Sequence, residues 1–152
     1  MRLERPNGVV VMPITRRGVL LTLPNHRENV GKRERTNTPD FKNVEGKQLL
    51  GGAIELQRGE TEEGAAIREA WEEGKVGLRS EQLVNAPFGV SVEQEGRGYF
   101  GVEVFIANLT LLQEFWLRYV MRASEVGIDQ PMSDFRVRDQ AIIQLARESG
   151  VI

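Results

Sequence analysis

Three glutamates in one short segment are the residues of this sequence whose type and spacing could do chemistry. Glu69, Glu72 and Glu73 lie within five residues after Arg68. Residues three and four apart are neighbours on a helix, so these carboxylates are expected to converge on one patch. Carboxylates held this close repel one another, and a hard cation such as Mg²⁺ removes that cost because it takes oxygen ligands and shares its site with substrate phosphates. The spacing therefore predicts a metal site for phosphate chemistry.

The residues before this cluster favour a metal site over a solvated charged helix face, which is the commoner origin of a charge run. Gly51 and Gly52 precede the segment, and Glu60 lies eight residues before Arg68. This combination resembles the signature of the Nudix hydrolases, in which a glycine, a glutamate and an Arg-Glu-x-x-Glu-Glu sequence follow at fixed spacing. The match is specific over this segment and weaker over most of the remaining chain.

Two positions depart from the Nudix pattern, and neither is acidic. Gly52 and Glu60 enclose seven residues where the family has five, which places two extra residues, at 57 and 58, before the helix. Lys75 stands where the family has a glycine at the helix end, with Gly74 and Gly77 near it. A helix end favours a residue that tolerates the left-handed conformation, usually glycine. One of the two nearby glycines is therefore expected to take this role, with a small shift of the helix end.

The resemblance implies a fold and an activity. The fold is α/β, a Nudix-type α/β/α sandwich with a mixed β-sheet flanked by helices, formed by residues 1–152 as a single domain. The activity is Mg²⁺-dependent hydrolysis of the diphosphate linkage in a nucleoside diphosphate joined to another moiety. The segment 48–55 resembles that of ADP-ribose pyrophosphatases, with Gln48 and Leu50 replacing the usual Glu and Pro, and indicates an ADP-ribose or nucleotide-sugar substrate. A nucleoside triphosphate pyrophosphatase and a catalytically inactive nucleotide-binding sensor are the alternatives.

The resemblance also assigns roles by position. Arg68 would brace the loop or the carboxylates through bidentate bonds, a geometry that arginine supplies and lysine does not. Glu60 would be a supporting acid near the substrate. Mg²⁺, or Mn²⁺ in its place, would be held by three side chains and one backbone carbonyl, namely Glu69, Glu72, Glu73 and the carbonyl of Gly51.

The general base and the phosphate-binding residues are less closely defined. Nudix enzymes take the base either from the signature glutamates, here Glu69, or from a distant loop, for which Glu93 and Glu95 in the predicted loop 89–98 are the candidates. Arg27, at the end of a predicted strand, is the candidate for binding substrate phosphates through charge-assisted hydrogen bonds. The nearby basic residues have the same potential role or merely solubilise the loop; they are Lys32, Arg33 and Arg35.

Composition limits the class of protein and its partners. A chain of 152 residues with a net charge of −2 predicts one domain without the basic excess of a general nucleic-acid or membrane binder. The absence of cysteine excludes disulfides and zinc–thiolate sites, and the single histidine, His26, excludes a multi-histidine metal site. The sequence has neither a membrane-span-length apolar run nor a signal-peptide core, which predicts a cytoplasmic protein. The expected partner is a small nucleoside diphosphate derivative, and a homodimer is an open option.

The elements that must position these residues follow from periodicity and turn signals. Thr61 is the predicted N-cap of the acidic helix, whose Ala66, Ile67 and Ala70 would face the core. Residues 111–121 fit either a helix or a strand, with Trp116 and Tyr119 expected in the core. The remaining expectations are a β-hairpin of strands 8–14 and 19–23, short strands at 47–50 and 53–55 on either side of the two glycines, strands at 82–88 and 99–107, and a closing helix at 137–149.

Overall fold

The computed structural model of the protein describes residues 6–24, 33–35, 41–42, 46–94 and 98–152; for residues 33–35, 41–42, 92–94 and 98–100 it describes the backbone. The helices are α1 (Glu62–Gly74), α2 (Leu111–Tyr119) and α3 (Val137–Glu148). The strands, in chain order from β1 to β9, are Gly8–Ile14, Leu21–Pro24, Arg33–Arg35, Phe41–Lys42, Lys47–Gln48, Leu50–Ala53, Leu83–Gln94, Gly98–Asn108 and Ser124–Glu125.

Two sheets organise these strands. The larger has the order β4-β3-β7-β8-β1-β6, and the smaller has the order β5-β2-β9. β1 is parallel to β8 and antiparallel to β6, so the large sheet is mixed, as predicted. β6 is its edge strand, and this edge carries the two glycines of the signature.

The side chains of β1 divide the core into two layers, because successive residues of a strand point to opposite faces. Val9 and Val11 pack in a cluster with the alanines of α1 and with Leu117 of α2. Val10 and Met12 pack in a second cluster with residues of α3. The sheet therefore has α1 and α2 on one face and α3 on the other, which confirms the predicted α/β/α sandwich. None of the helices in the described residues is long and apolar enough to cross a membrane.

Helix α1 begins as the sequence predicted and ends differently. The Thr61 hydroxyl accepts a hydrogen bond from the backbone N–H of Gly64 at 3.0 Å, which satisfies one free donor of the first turn. Lys75 itself ends the helix in the left-handed conformation, with φ of 51°. The expectation that a nearby glycine would take this role is therefore wrong, and the helix ends where the family pattern places it.

Three strand predictions need correction. β1 and the segment after it meet only at one bridge, Ile14 with Leu20, and β2 then pairs with β5 and β9 in the second sheet, so the predicted hairpin is minimal. Gly51 and Gly52 lie inside β6, paired with β1, and do not separate two strands. β7 continues through Gly89 to Gln94, so most of the predicted loop 89–98 is strand. A register shift between Asn85 and Gly89 lets the glycine continue the pairing with β8.

Residues 111–119 form a helix, which resolves the predicted ambiguity. Thr110 is the N-cap, and its side chain and that of Gln113 form a reciprocal capping box. Leu117 is fully buried, whereas Trp116 and Tyr119 are 38% and 70% exposed. The expectation that these two aromatic residues belong to the core is therefore wrong. The closing helix is confirmed as α3.

Candidate active site

The two signature glycines bring the edge of β6 against α1. The backbone N–H of Gly51 donates a hydrogen bond of 2.7 Å to Oε1 of Glu73. A Cβ at Gly51 would overlap the carbonyl oxygen of Val9, and a Cβ at Gly52 would overlap the carboxylate of Glu69. Only glycine lets the strand and the acidic face of the helix approach this closely.

Arg68 connects the strand, the preceding loop and the carboxylates. Its Nε and Nη2 donate to the two carboxylate oxygens of Glu60 at 2.8 and 2.9 Å, and Nη2 also donates to the carbonyl of Ala53 at 2.9 Å. Nη1 donates to Glu69 at 3.0 Å and to Glu72 at 3.1 Å. A planar guanidinium can serve these directions at once, whereas the ammonium of lysine cannot present the same bidentate fork.

The two extra residues before Glu60 are absorbed locally. Leu56–Arg58 form a single 3-10 turn, which Gly59 closes in the left-handed conformation with φ of 72°. Glu60 then accepts a hydrogen bond of 2.9 Å from the backbone N–H of Glu55 and keeps its bidentate pair with Arg68. The hydrogen bond from Arg68 holds the pKa of Glu60 below its usual range. The insertion therefore leaves the link between the loop and the helix intact.

Glu69 is the most buried carboxylate of the signature, at 9% exposed. Burial, as the larger cause, and the negative charge of Glu73 together raise its pKa to about 7, and the positive charge of Arg68 opposes both. A carboxyl group with a pKa near neutrality can hold or release a proton at physiological pH. The negative charges of Glu73 and Glu72 contribute to this shift, and a bound cation would relieve that repulsion.

Gln48 lies beside Glu73 and has one unsatisfied atom. Its Nε2 donates to Oε2 of Glu73 at 3.3 Å, so both carboxylate oxygens of Glu73 have protein donors. The side chain is 4% exposed, and its Oε1 has no hydrogen-bond partner among the residues that the structure describes. A buried amide oxygen without a partner is costly, and it could be satisfied by coordinating a hard cation or by accepting a hydrogen bond from an ordered water.

A buried ion pair holds the same strand segment from the other side of the sheet. Arg138 and Asp139, at the start of α3, are paired at 2.7 Å and are 3% and 0% exposed. Asp139 accepts from the backbone N–H of Leu49 at 2.8 Å, and Arg138 donates to the carbonyl of Leu49 at 2.8 Å. This pair fixes the backbone between Gln48 and Gly51. Neither residue was predicted from the sequence to have a role, although adjacent opposite charges in a helix with buried apolar residues were the available signal.

The structure brings the predicted residues of the signature together without completing a metal cage. Glu73 is directed to the backbone of Gly51, and Glu72 is paired with Arg68 with its side chain 53% exposed. Across residues 6–24, 46–91 and 101–152, no three His, Cys, Asp or Glu side chains are arranged to hold a metal ion. The three carboxylates are not arranged as a ligand set in this conformation, and their role as metal ligands stays a prediction. They remain close enough for Glu72 and Glu73 to raise the pKa of Glu69.

The candidates for the distant base and for phosphate binding remain predictions. Glu93 lies in β7, opposite Tyr99 of β8 and Arg35 of β3, and not in a loop. Glu95 and Arg27, like Lys32, lie outside the described residues. Arg33 begins β3, the short strand that pairs with β7.

The donor chemistry of the site fits a hard divalent cation. Carboxylate, amide and backbone carbonyl oxygens are the ligands that Mg²⁺ prefers. The N–H and C=O of a strand residue point to the same side, so the carbonyl of Gly51 is expected at the edge where its N–H meets Glu73. The unpartnered oxygen of Gln48 adds one more oxygen that could ligate the cation. The residues present therefore fit Mg²⁺, or Mn²⁺ in its place.

Comparison with known proteins supports the fold. No protein-family model matches the chain, and no curated protein is similar to it in sequence. The solved structure of the E. coli dihydroneopterin triphosphate pyrophosphohydrolase is similar, with 21% identity, a TM-score of 0.50 and coverage of 72% of this chain and 71% of that one.

Two further solved structures align with nearly the whole chain. A variant of the Bacillus subtilis pyrophosphohydrolase BsRppH is 15% identical, with a TM-score of 0.57 and coverage of 97% of this chain and 85% of that one. The structure of Shewanella oneidensis NrtR is 14% identical, with a TM-score of 0.55, and the match covers 95% of this chain and 65% of that one. The chain therefore has the fold of the Nudix hydrolases, as its sequence signature predicted.

Proposed function

We propose that this protein is a pyrophosphohydrolase that requires a divalent cation, Mg²⁺ or Mn²⁺, and cleaves the diphosphate linkage of a nucleoside diphosphate joined to another moiety. The observation that carries the proposal is the junction between β6 and α1. There, one arginine holds Glu60, Glu69 and Glu72 while the backbone of Gly51 holds Glu73. Such a concentration of carboxylates around a buried, pKa-shifted glutamate is typical of a catalytic site and exceeds what a solvated helix face requires.

The cation would be held by oxygens already gathered at this junction. We expect its ligands to come from Glu69, Glu72, Glu73 and the carbonyl of Gly51, after the side chains of Glu72 and Glu73 leave their present partners. When bound, the cation supplies neutralisation of diphosphate charge and lowers the pKa of a water. Gln48 and Gly51 steady Glu73 until then.

The protein's own residues account for positioning and proton transfer. Arg68 keeps the acidic face of α1 at a fixed distance from β6 through its bond to the Ala53 carbonyl. Glu69 is the signature glutamate that the resemblance implies as a candidate to accept a proton. Glu93 and Glu95 remain candidates for the same role.

An ADP-ribose or nucleotide-sugar substrate is the finer proposal, and it rests on the resemblance of the segment 48–55. A nucleoside triphosphate is the second candidate, favoured by the similarity in fold to a triphosphate pyrophosphohydrolase. A sensor without turnover is the third. The two-residue insertion was the feature that favoured a sensor, and it leaves the contact between Gly51 and Glu73 in place.

Cleavage of a substrate panel, measured by chromatographic separation of the nucleotide products, tests the proposal, because hydrolysis of a diphosphate linkage gives two phosphomonoesters and frees no inorganic phosphate. The panel contains ADP-ribose, nucleotide sugars, dinucleoside polyphosphates, NADH and nucleoside triphosphates, each with and without Mg²⁺. We expect one class to be cleaved only with Mg²⁺, and Glu73→Gln to abolish this turnover while leaving the circular dichroism spectrum and melting temperature near those of the wild type. The matched control is Glu63→Gln on the same helix, which should retain activity.

Each contrary outcome has a defined meaning. Wild-type turnover in Glu73→Gln would remove the metal assignment. A folded protein that binds a nucleotide but cleaves no member of the panel would favour the sensor. Cleavage restricted to nucleoside triphosphates would select the second candidate.

A further inference from the structure

Helix α2 presents a broad apolar face to solvent. Leu112 is 79% exposed, and Leu111, Phe115 and Val120 are each at least half exposed, together with Tyr119. The opposite side of the helix meets the core through Leu117, which is fully buried. A surface helix normally turns a polar side outward, so this arrangement is the reverse of the usual amphipathic pattern.

The positions of these residues make one continuous surface. At about 100° per residue, positions 111, 112, 115 and 119 fall within an arc of about 100° on the helix. The rings of Phe115 and Tyr119 contact each other, with centroids 4.6 Å apart and planes tilted by 46°. The face is therefore a packed patch with a rigid aromatic centre, and such residues are the usual anchors of protein interfaces.

The size of the patch approaches half of a stable protein interface. Large apolar side chains carry roughly 150–250 Å² each, so the exposed parts of the α2 residues sum to on the order of 600 Å². A monomeric protein rarely exposes an apolar patch larger than about 300–600 Å², and a standard interface buries about 800 Å² per partner. Arg16, Arg17 and Glu125, which line a groove beside the helix, extend this surface.

Charges of both signs border the patch. A groove of about 670 Å³ runs along it, lined by Arg16 and Arg17 of the β1–β2 turn and by acidic residues of α2 and β9. Arg118 pairs with Glu114 at 3.1 Å and with Glu125 at 2.8 Å. Arg16 and Arg17 are exposed and have no ion pair within the described part of the chain.

The mixture of charges distinguishes between possible occupants. In a symmetric dimer the same surface serves both partners, so a patch with separate cations and anions can complement itself. A nucleic acid would bring phosphates against Glu114 and Glu125, on a chain whose net charge is already −2. A second copy of this chain therefore fits the patch better than a nucleic acid does.

We propose that this face of α2 is the interface of a symmetric homodimer, in which α2 of one copy packs against α2 of the other. Leu111, Leu112, Phe115 and Tyr119 would form its apolar centre. Arg16 and Arg17 of each copy would approach the acidic border of the other.

The proposed interface also touches the support of the acidic helix. Trp116 of α2 donates from Nε1 to the carbonyl of Gly74 at 3.1 Å, directly after Glu73. Fixing α2 in a dimer would therefore fix the last turn of α1. The dimer itself stands independently of any enzymatic activity.

Sedimentation equilibrium over protein concentrations from about 1 to 100 μM tests the proposal, because standard interfaces often support association in or below this range. We expect the wild type to approach twice the chain mass of 17.1 kDa. Leu112→Glu and Phe115→Glu, which place a charge in the apolar centre, should each shift the dimer dissociation constant upward by more than about 100-fold. The matched control is Ile128→Glu, at a residue that is 91% exposed outside the patch, and it should remain dimeric.

A spin-label measurement separates loss of the dimer from loss of the fold. The chain has no cysteine, so Arg122→Cys, at an exposed residue just after α2 and outside the proposed apolar centre, accepts one label per copy. Packed helices lie about 8–10 Å apart, so labels just after α2 should be within about 30 Å of each other across the dimer. Ile128→Cys serves as the distance control and should give a different distribution.

Three results would overturn the proposal. One is a wild type that is still monomeric at about 100 μM, because its dimer dissociation constant would then exceed the value expected of this patch. Another is a dimer that persists in folded Leu112→Glu and Phe115→Glu. The third is binding of a monomeric wild type to RNA or to lipid vesicles through α2, which would assign the face to that partner.

Discussion

Helices α1 and α2 lie on the same face of the sheet and begin with the same local signal, yet they expose opposite kinds of surface. Thr61 caps α1 by accepting from Gly64 N–H at 3.0 Å, and Thr110 caps α2 by accepting from Gln113 N–H at 3.2 Å. In α1 a carboxylate, Glu69, is buried against the strand, whereas in α2 the large apolar residues face solvent.

The difference follows from side-chain size on the inner face. α1 buries Ala65, Ala66 and Ala70, whose small side chains let the helix lie close to the sheet and bring Glu69 against Gly52. In α2 only Leu117 is fully buried, and the other large apolar side chains face solvent. A cap fixes where a helix begins, but burial of a charge indicates chemistry and exposure of apolar bulk indicates association. Each experiment below tests one side of this contrast.

The largest expected effect comes from closing the space between β6 and α1. In Gly52→Ala, the added Cβ overlaps the Glu69 carboxylate and must displace it. Because misplacement of a catalytic group by about 1 Å can cost about 100-fold, we expect Mg²⁺-dependent turnover to fall by at least about that factor with little loss of stability. The matched control is Gly77→Ala, which meets nothing within 4 Å and should keep full turnover. Equal turnover in the two variants would contradict the placement of Glu69.

The burial of Glu69 also predicts a pH dependence of stability. Its folded pKa of about 7 lies above the ordinary glutamate value of 4.5, so the folded state binds the proton more tightly than the unfolded state does. Below about pH 4 both states are protonated, and as pH rises through 7 the folded state loses this advantage. Relative to the wild type, metal-free Glu69→Gln should therefore gain about 3 kcal/mol in unfolding free energy between pH 4 and pH 8.

Urea unfolding at several pH values without metal measures this difference. Glu63→Gln, on the same helix, is the control and should show no such gain. A pH-independent difference between Glu69→Gln and the wild type would mean that Glu69 titrates normally in the folded protein. Added Mg²⁺ should stabilise the wild type at pH 8 more than it stabilises Glu69→Gln.

A smaller effect tests the link between the two helices. Trp116→Phe removes the hydrogen bond to the carbonyl of Gly74, which closes the last turn of α1. We expect a loss of about 1 kcal/mol in unfolding free energy, measured in urea. Trp71→Phe is the matched control, at a tryptophan that is 57% exposed and has no side-chain hydrogen bond within the described residues, and it should change stability by less. Equal losses would show that the bond contributes nothing.

Features of this structure that depend on residues close together in the sequence were predictable, and features that depend on tertiary packing were not. The cap at Thr61 and the closing helix depend on residues within a few positions of one another, and they appeared as predicted. The capping box of Thr110 and Gln113 was an equally local signal for α2, but the aromatic residues that follow also suit a strand. Which side of α2 is covered depends on packing against α1, and no periodicity in the segment itself specifies that.

The buried ion pair that binds the backbone of Leu49 was not predictable, because it too depends on tertiary packing. Its members, Arg138 and Asp139, are 89 and 90 residues away along the chain. Only the fold brings α3 behind the strand segment that precedes Gly51. Glycines were also misleading in β6 and β7, where Gly51 and Gly89 read as breaks and instead permit close approach or a register shift within a strand.

The smallest effect concerns the end of α1, where a lysine adopts a conformation that favours glycine. Lys75 has φ of 51° and donates its backbone N–H to the carbonyl of Trp71 at 3.0 Å. A side chain in the left-handed region costs about 1–2 kcal/mol, and glycine avoids this cost but loses more backbone entropy on folding. Lys75→Gly should therefore raise the unfolding free energy by about 0.5–1 kcal/mol, whereas Lys75→Ala, which keeps the Cβ, should not. If both variants have the same stability in urea, the left-handed end of α1 is not strained, and the departure from the family's glycine has no energetic consequence.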